Sequence, residues 1–116
     1  MLWRIDPSLP APLFEQLAAT VRGAVISGAL RPGDRLPPAR ELATSLDVNM
    51  HTVLRAYQVV RDEGIIELRR GRGAVVIGEP DSSRLRGLVR EVIAEAGRHG
   101  LGLDDIVGLL RKQAIS

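Results

Sequence analysis

The run Arg35–Val76, RLPPARELATSLDVNMHTVLRAYQVVRDEGIIELRRGRGAVV, decides the fold of this 116-residue chain. Leu42, Ala43 and Leu46 recur at helical spacing, so a helix is expected from about Pro38 to Leu46. Asp47-Val48 make a turn, and Asn49 is a strong N-cap for a second helix reaching about Glu63. Val53, Ala56, Tyr57 and Val60 form its apolar stripe, and Gly64 suits its end. Ile65–Leu68 and Ala74–Ile77 are short apolar stretches rich in β-branched residues. They flank Arg69-Arg70-Gly71-Arg72-Gly73, which reads as a two-stranded hairpin with a basic tip.

Upstream, Phe14, Leu17, Val21 and Val25 mark a helix over Leu13–Ser27. Pro12 sits at its start and Gly28 at its end. Pro32-Gly33-Asp34 is a turn, with a very short strand expected at Arg35-Leu36. Downstream, Asp81-Ser82-Ser83 cap a helix over about Ser82–Arg98. Its stripe is Leu85, Leu88, Val89, Val92, Ile93 and Ala96. A break at Gly97–Gly102 precedes a last helix that starts at Asp104 and carries Ile106, Val107, Leu109 and Leu110. The fold class is therefore mainly α with a small β-hairpin: a winged helix-turn-helix over residues 1–78, then two short C-terminal helices over 79–116.

Composition narrows the function. Hydrophobic residues make up 45% of the chain, which suits a packed globule, and there is one each of Trp, Tyr and Phe. So few aromatics weaken any case for single-strand recognition by base stacking. The chain has no cysteine, so disulfides and thiolate metal sites are excluded. No window holds about 18 uninterrupted apolar residues and the N-terminal stretch lacks a signal-peptide core, so the expected location is the cytoplasm. His51 and His99 are the two histidines, and neither sits in a group with metal spacing. With no phosphate loop, nucleophile elbow or paired carboxylates in an apolar setting, no enzyme, metal or cofactor is expected.

The net charge of +2 is unevenly spread. Residues 1–78 hold 10 Arg and 8 acids (10 − 8 = +2), whereas residues 79–116 hold 6 bases and 6 acids (6 − 6 = 0). A DNA reader needs cations for phosphates and a few polar side chains at one helix end for base edges. The second helix of the helix-turn-helix begins with Asn49, His51, Thr52 and Arg55, and its N-terminus points free amides outward. Arg40 opens the preceding helix, and Arg70 and Arg72 flank Gly71 at the hairpin tip. Taken singly, a basic turn is usually a solvated one and an N-cap Asn only a cap. Together they fall where one docking geometry on double-stranded DNA places them.

The same residues resemble the winged helix of the GntR family of bacterial transcription regulators. The matching motifs are Pro32-Gly33-Asp34, Leu36-Pro37, Arg40-Glu41-Leu42-Ala43, Val48-Asn49, Thr52-Val53, Arg55-Ala56-Tyr57, Glu63-Gly64 and Gly71-Arg72-Gly73. The resemblance covers about residues 10–78 and implies DNA contacts at Arg40, Thr52, Arg55 and Gly71. The chain departs at Pro38, where the family often has Ser, and at Met50 and His51, where polar, basic or proline residues are common. The short tail resembles that of the YtrA subfamily, which implies a repressor near its own operon, often a transporter operon. Leu85, Leu88, Val89, Val92, Ile93, Ala96 and Leu110 are the expected homodimer interface on an inverted-repeat operator. Such a tail leaves room for an unknown small-molecule effector only in a shallow site. Two alternatives stand beside this: a winged-helix protein–protein module, and the DNA-binding piece of a larger ligand-sensing regulator.

Overall fold

The structure is a computed structural model that describes residues 3–115. It divides into two compact units, one ending at Pro80 and the other starting at Asp81.

In the first unit, α1 spans Leu13–Ser27 and buries Leu17, Ala18, Val21, Ala24 and Val25. Gly28 ends it in the left-handed region at φ 85°, which costs an L residue energy that glycine avoids. The Leu30 amide then bonds the Ala24 carbonyl, closing the helix end. The segment before α1 turns at Pro7-Ser8, and Gln16 ties it to the helix. Gln16 accepts from the Asp6 amide at 2.7 Å and donates to the Asp6 and Ala11 carbonyls, both at 2.9 Å.

Helix α2 spans Ala39–Leu46 and α3 spans Met50–Asp62. The turn between them places Asp47 at φ 55°, the one non-glycine residue with positive φ among those described. Asp tolerates this conformation better than most residues. The Val48 amide reaches back to the Ala43 carbonyl at 3.0 Å and completes the helix end. Asn49 caps α3 as its side-chain chemistry suggests: Oδ1 accepts from the His51 amide at 2.8 Å.

Strands β1 (Ile66–Arg69) and β2 (Gly73–Val76) pair antiparallel, with Ile66 opposite Val76 and Arg69 opposite Gly73. Each strand lies one residue from its sequence-based position. For β1 the reason is at Ile65, whose amide bonds the Val60 carbonyl and so closes α3. The short strand expected at Arg35-Leu36 is reduced to an isolated bridge: Arg35 pairs with Val75, and Leu36 donates to the Ala74 carbonyl at 2.9 Å on the free edge of β2. Leu17, Val21, Val53, Val60, Ile65, Ile66 and Val76 are fully buried where α1, α3 and the ribbon meet. A bidentate Arg22–Glu63 ion pair joins α1 to the end of α3.

The second unit is a helical hairpin of α4 (Ser83–Arg98) and α5 (Leu103–Ala114). Ser82 precedes α4 without a side-chain cap bond. Asp81 does the capping instead, accepting from the Ser83 amide and hydroxyl, which holds its carboxyl below the usual range. The last helix starts one residue earlier than the charge pattern suggests, because Asp105 bonds back to the Gly102 amide at 3.0 Å. Ala96 and Ile106 are buried in the crease of this hairpin, which encloses about 250 Å³. Ala96 therefore departs from its expected place on an open face: the chain turns at Gly100, and the Leu101 amide bonds the Ala96 carbonyl. Leu85, Leu88, Val89, Val92, Ile93 and Leu110 are all exposed.

Candidate nucleic-acid interface

The candidate face is built from three pieces of the first unit: the start of α2, the first half of α3, and the wing tip between β1 and β2. Arg40 is the second residue of α2 and is exposed. Asn49 and His51 are exposed at the start of α3, and Thr52 is half-buried one residue on. The Asn49 carboxamide oxygen is committed to the His51 amide, so this side chain is held in place at the helix end. Arg70 and Arg72 stand on either side of Gly71, whose φ of 78° lets the chain reverse there.

Some arginines of the chain are committed to carboxylates and others, including those of the candidate face, are not. Arg22, Arg61, Arg69 and Arg98 each pair with a carboxylate, from Glu63, Asp62, Glu67 and Glu95 respectively. Among the described residues, Arg40, Arg55, Arg70 and Arg72 have no such partner. An arginine with no carboxylate keeps its fork of N–H donors for an external anion, and phosphate fits that fork.

A cleft of about 500 Å³ lies between α3 and the wing. Leu54 and Tyr57 form one wall, Leu68, Gly71 and Arg72 the other, and Pro37, Pro38 and Ala39 lead into α2. The Tyr57 hydroxyl donates to the Pro37 carbonyl at 2.6 Å and ties α3 to the segment before α2. Burial pushes the Tyr57 phenol well above its ordinary range, so it stays protonated at physiological pH.

The structure brings Gly71 and Arg72 close to α3 across this cleft, but Arg55 lies elsewhere. Its guanidinium stacks on the Phe14 ring of α1, 3.8 Å from the centroid. Two residues that sequence reasoning did not single out thus border the candidate face. Phe14 reads in the sequence as one more member of a core stripe. Arg35 reads as part of a short strand, yet it lines the cleft beside Arg72. No local pattern marks either one. A cation next to Gly-Asp-containing turns is the only available signal for Arg35, and it is weak. Among the described residues no group of His, Cys, Asp or Glu is arranged to hold a metal ion. Among the described residues no helix is long and apolar enough to cross a membrane.

Comparison with known proteins agrees with this architecture. The family model for bacterial regulatory proteins of the gntR family matches residues 13–76. The HTH-type transcriptional repressor YtrA of Bacillus subtilis is 33% identical over 110 residues, covering 89% of this chain and 85% of that protein. The HTH-type transcriptional regulator Rv1152 of Mycobacterium tuberculosis is 37% identical over 109 residues, covering 92% and 89%. Among solved structures, YtrA from Sulfolobus acidocaldarius, a GntR-family transcription factor, superposes with a TM-score of 0.62 at 38% identity. That match covers 78% of this chain and 96% of the other. On the winged helix, its motifs and these relatives, the chain belongs to the GntR family of bacterial regulatory proteins.

Proposed function

We infer that this protein is a sequence-specific DNA-binding transcriptional regulator that works as a homodimeric repressor on an inverted repeat. The observation that carries the reading is a GntR winged helix with unpaired arginines at its wing tip, at the start of α2 and in the first half of α3. Residues 1–78 serve as the DNA-binding domain. In this reading α3 enters the major groove, with Arg55 and Thr52 toward base edges and Arg40 fixing the register. Asn49 and His51 meet the backbone at the helix end. Arg70, Gly71 and Arg72 carry the wing to the phosphates or the minor groove. The relatives named repressor or regulator support this assignment, and the cytoplasm is where such a protein meets DNA.

Residues 79–116 serve as a dimerisation tail. Leu85, Leu88, Val89, Val92 and Ile93 lie exposed along α4, and Leu110 along α5. Apolar rows of this kind favour burial against a symmetric partner. The 250 Å³ crease is below the usual range of about 300–1,000 Å³ for a ligand pocket, so an effector would act from a shallow, shared site near Leu88, Val92 and Leu110.

The test is titration of duplex DNA at several salt concentrations, with sedimentation of the free protein. The expected result is a dimer that binds a full repeat more tightly than a half-site. Log affinity should fall steeply with log salt as arginines displace counterions. Arg55→Ala should cost about 1–3 kcal/mol on the preferred duplex, and Arg72→Ala should weaken all duplexes more evenly. A strict monomer with equal affinity for half-site and repeat would reject the reading.

A further inference from the structure

Arg55 and Phe14 belong to different helices, α3 and α1, and meet as a cation over a ring face at 3.8 Å. Phe14 is half-buried and packs its other side against the core. It is therefore a fixed platform. Arg55 remains exposed, and no carboxylate pairs with it among the described residues. A stacked guanidinium offers one flat face to the ring. Its N–H donors lie in the plane and point away from its edge, so stacking consumes none of them. The contact holds a long, flexible side chain in one place while leaving its whole hydrogen-bonding edge available.

We propose that Phe14 is a positioning residue for DNA recognition: it pre-sets Arg55 for contact with the duplex through the ring–guanidinium stack. Without the platform, Arg55 would be ordered only on binding, and that ordering would be subtracted from affinity. A phenylalanine that looks like ordinary core in the sequence thereby sets the geometry of a cation on the next-but-one helix. The inference rests on the reading that Arg55 touches DNA, and its test separates the two.

The experiment uses the full chain and a duplex that the wild-type protein has selected from a random pool. Affinities are measured for Phe14→Leu, Phe14→Tyr, Arg55→Ala and the double variant Phe14→Leu/Arg55→Ala, with thermal melts to confirm folding. Leucine keeps apolar bulk in the core but has no ring face, whereas tyrosine keeps the ring. Phe14→Leu should weaken binding about two- to five-fold, the scale of an exposed cation–π contact, and Phe14→Tyr should bind as the wild type. In the Arg55→Ala background, Phe14→Leu should change nothing further. An equal loss from Phe14→Leu in both backgrounds would show a purely structural role and overturn the proposal. So would unchanged binding by Phe14→Leu alongside weakened binding by Arg55→Ala. If Arg55→Ala itself binds as the wild type, the DNA role of Arg55 falls, and the proposal with it.

Discussion

Tyr57→Phe removes a single hydroxyl, and its consequences depend on pH in a way that tests the packing between α3 and the start of α2. Tyr57 is 4% exposed, and its hydroxyl donates to the Pro37 carbonyl at 2.6 Å. Phenylalanine keeps the ring and deletes that bond, so near pH 8 the variant should be less stable by about 1 kcal/mol. In a unit of this size that lowers the melting temperature by about 4–8 °C. The alkaline limb is more diagnostic. Burial raises the folded-state pKa of Tyr57 above its unfolded value of about 10. Above pH ~10 the unfolded chain releases the phenolic proton while the native protein retains it. The stability associated with the neutral phenol is therefore fully present below pH ~10 and is lost as pH rises, at about 1.4 kcal/mol per unit. At pH ~11 the wild type should have lost about 1.4 kcal/mol through this group, and Tyr57→Phe none. The gap between the two should shrink to about zero. Every other ionisable group is common to both proteins and cancels in the difference. Urea denaturation at about pH 8 and pH 11, with tyrosinate absorbance as a direct monitor, measures both effects, because the chain has one tyrosine. A gap independent of pH, or a native phenol that ionises near pH 10, would refute the reasoning.

Three further outcomes follow from particular contacts. Gly78→Ala places a Cβ 2.6 Å from the Gly64 carbonyl oxygen, a backbone atom that cannot swing aside, so thermal melts should show a loss of about 1–3 kcal/mol. Asp47→Gly relieves a left-handed residue, at φ 55°, between α2 and α3; the gain is smaller than the ~1–2 kcal/mol of an ordinary L residue, because Asp tolerates this region, and glycine's backbone entropy offsets it. Chemical denaturation should therefore show a net change of no more than about 0.5 kcal/mol; a gain or loss well above about 1 kcal/mol would contradict the argument. Val92→Asp puts a charge on the exposed row of α4, so sedimentation should report a monomer and the preferred duplex should bind more weakly, with the circular dichroism of the winged helix preserved.

Much of the fold was legible in the chain because its punctuation is local. Gly28 and Gly64 end helices where positive φ is needed, and Asn49 starts one by bonding the amide two residues on. These are properties of neighbouring residues, and no distant partner is required to read them. The apolar periods of α1 and α3 likewise report which side of each helix is buried. Misplacements arose where a group had two claims on it. The Ile65 amide belongs to the end of α3, so β1 starts one residue later. Ala96 has the spacing of the open stripe on α4, but the turn at Gly100 brings it into the hairpin crease.

The candidate site divides along the same line. The kinds of residue at the start of α3 and at the wing tip were set by the sequence alone, since motif and charge do not depend on where the rest of the chain goes. Periodicity fixes the angle at which a side chain leaves its helix, but not where the end of a long arginine comes to rest. Only the packing of α1 beside α3 puts the Phe14 ring under Arg55. Only the pairing of the 33–36 segment with β2 brings Arg35 to the cleft that Arg72 also lines. Helices, caps and charges come from interactions a few residues long. The platform beneath Arg55 and the walls of the cleft come from contacts between segments that meet only when the core closes.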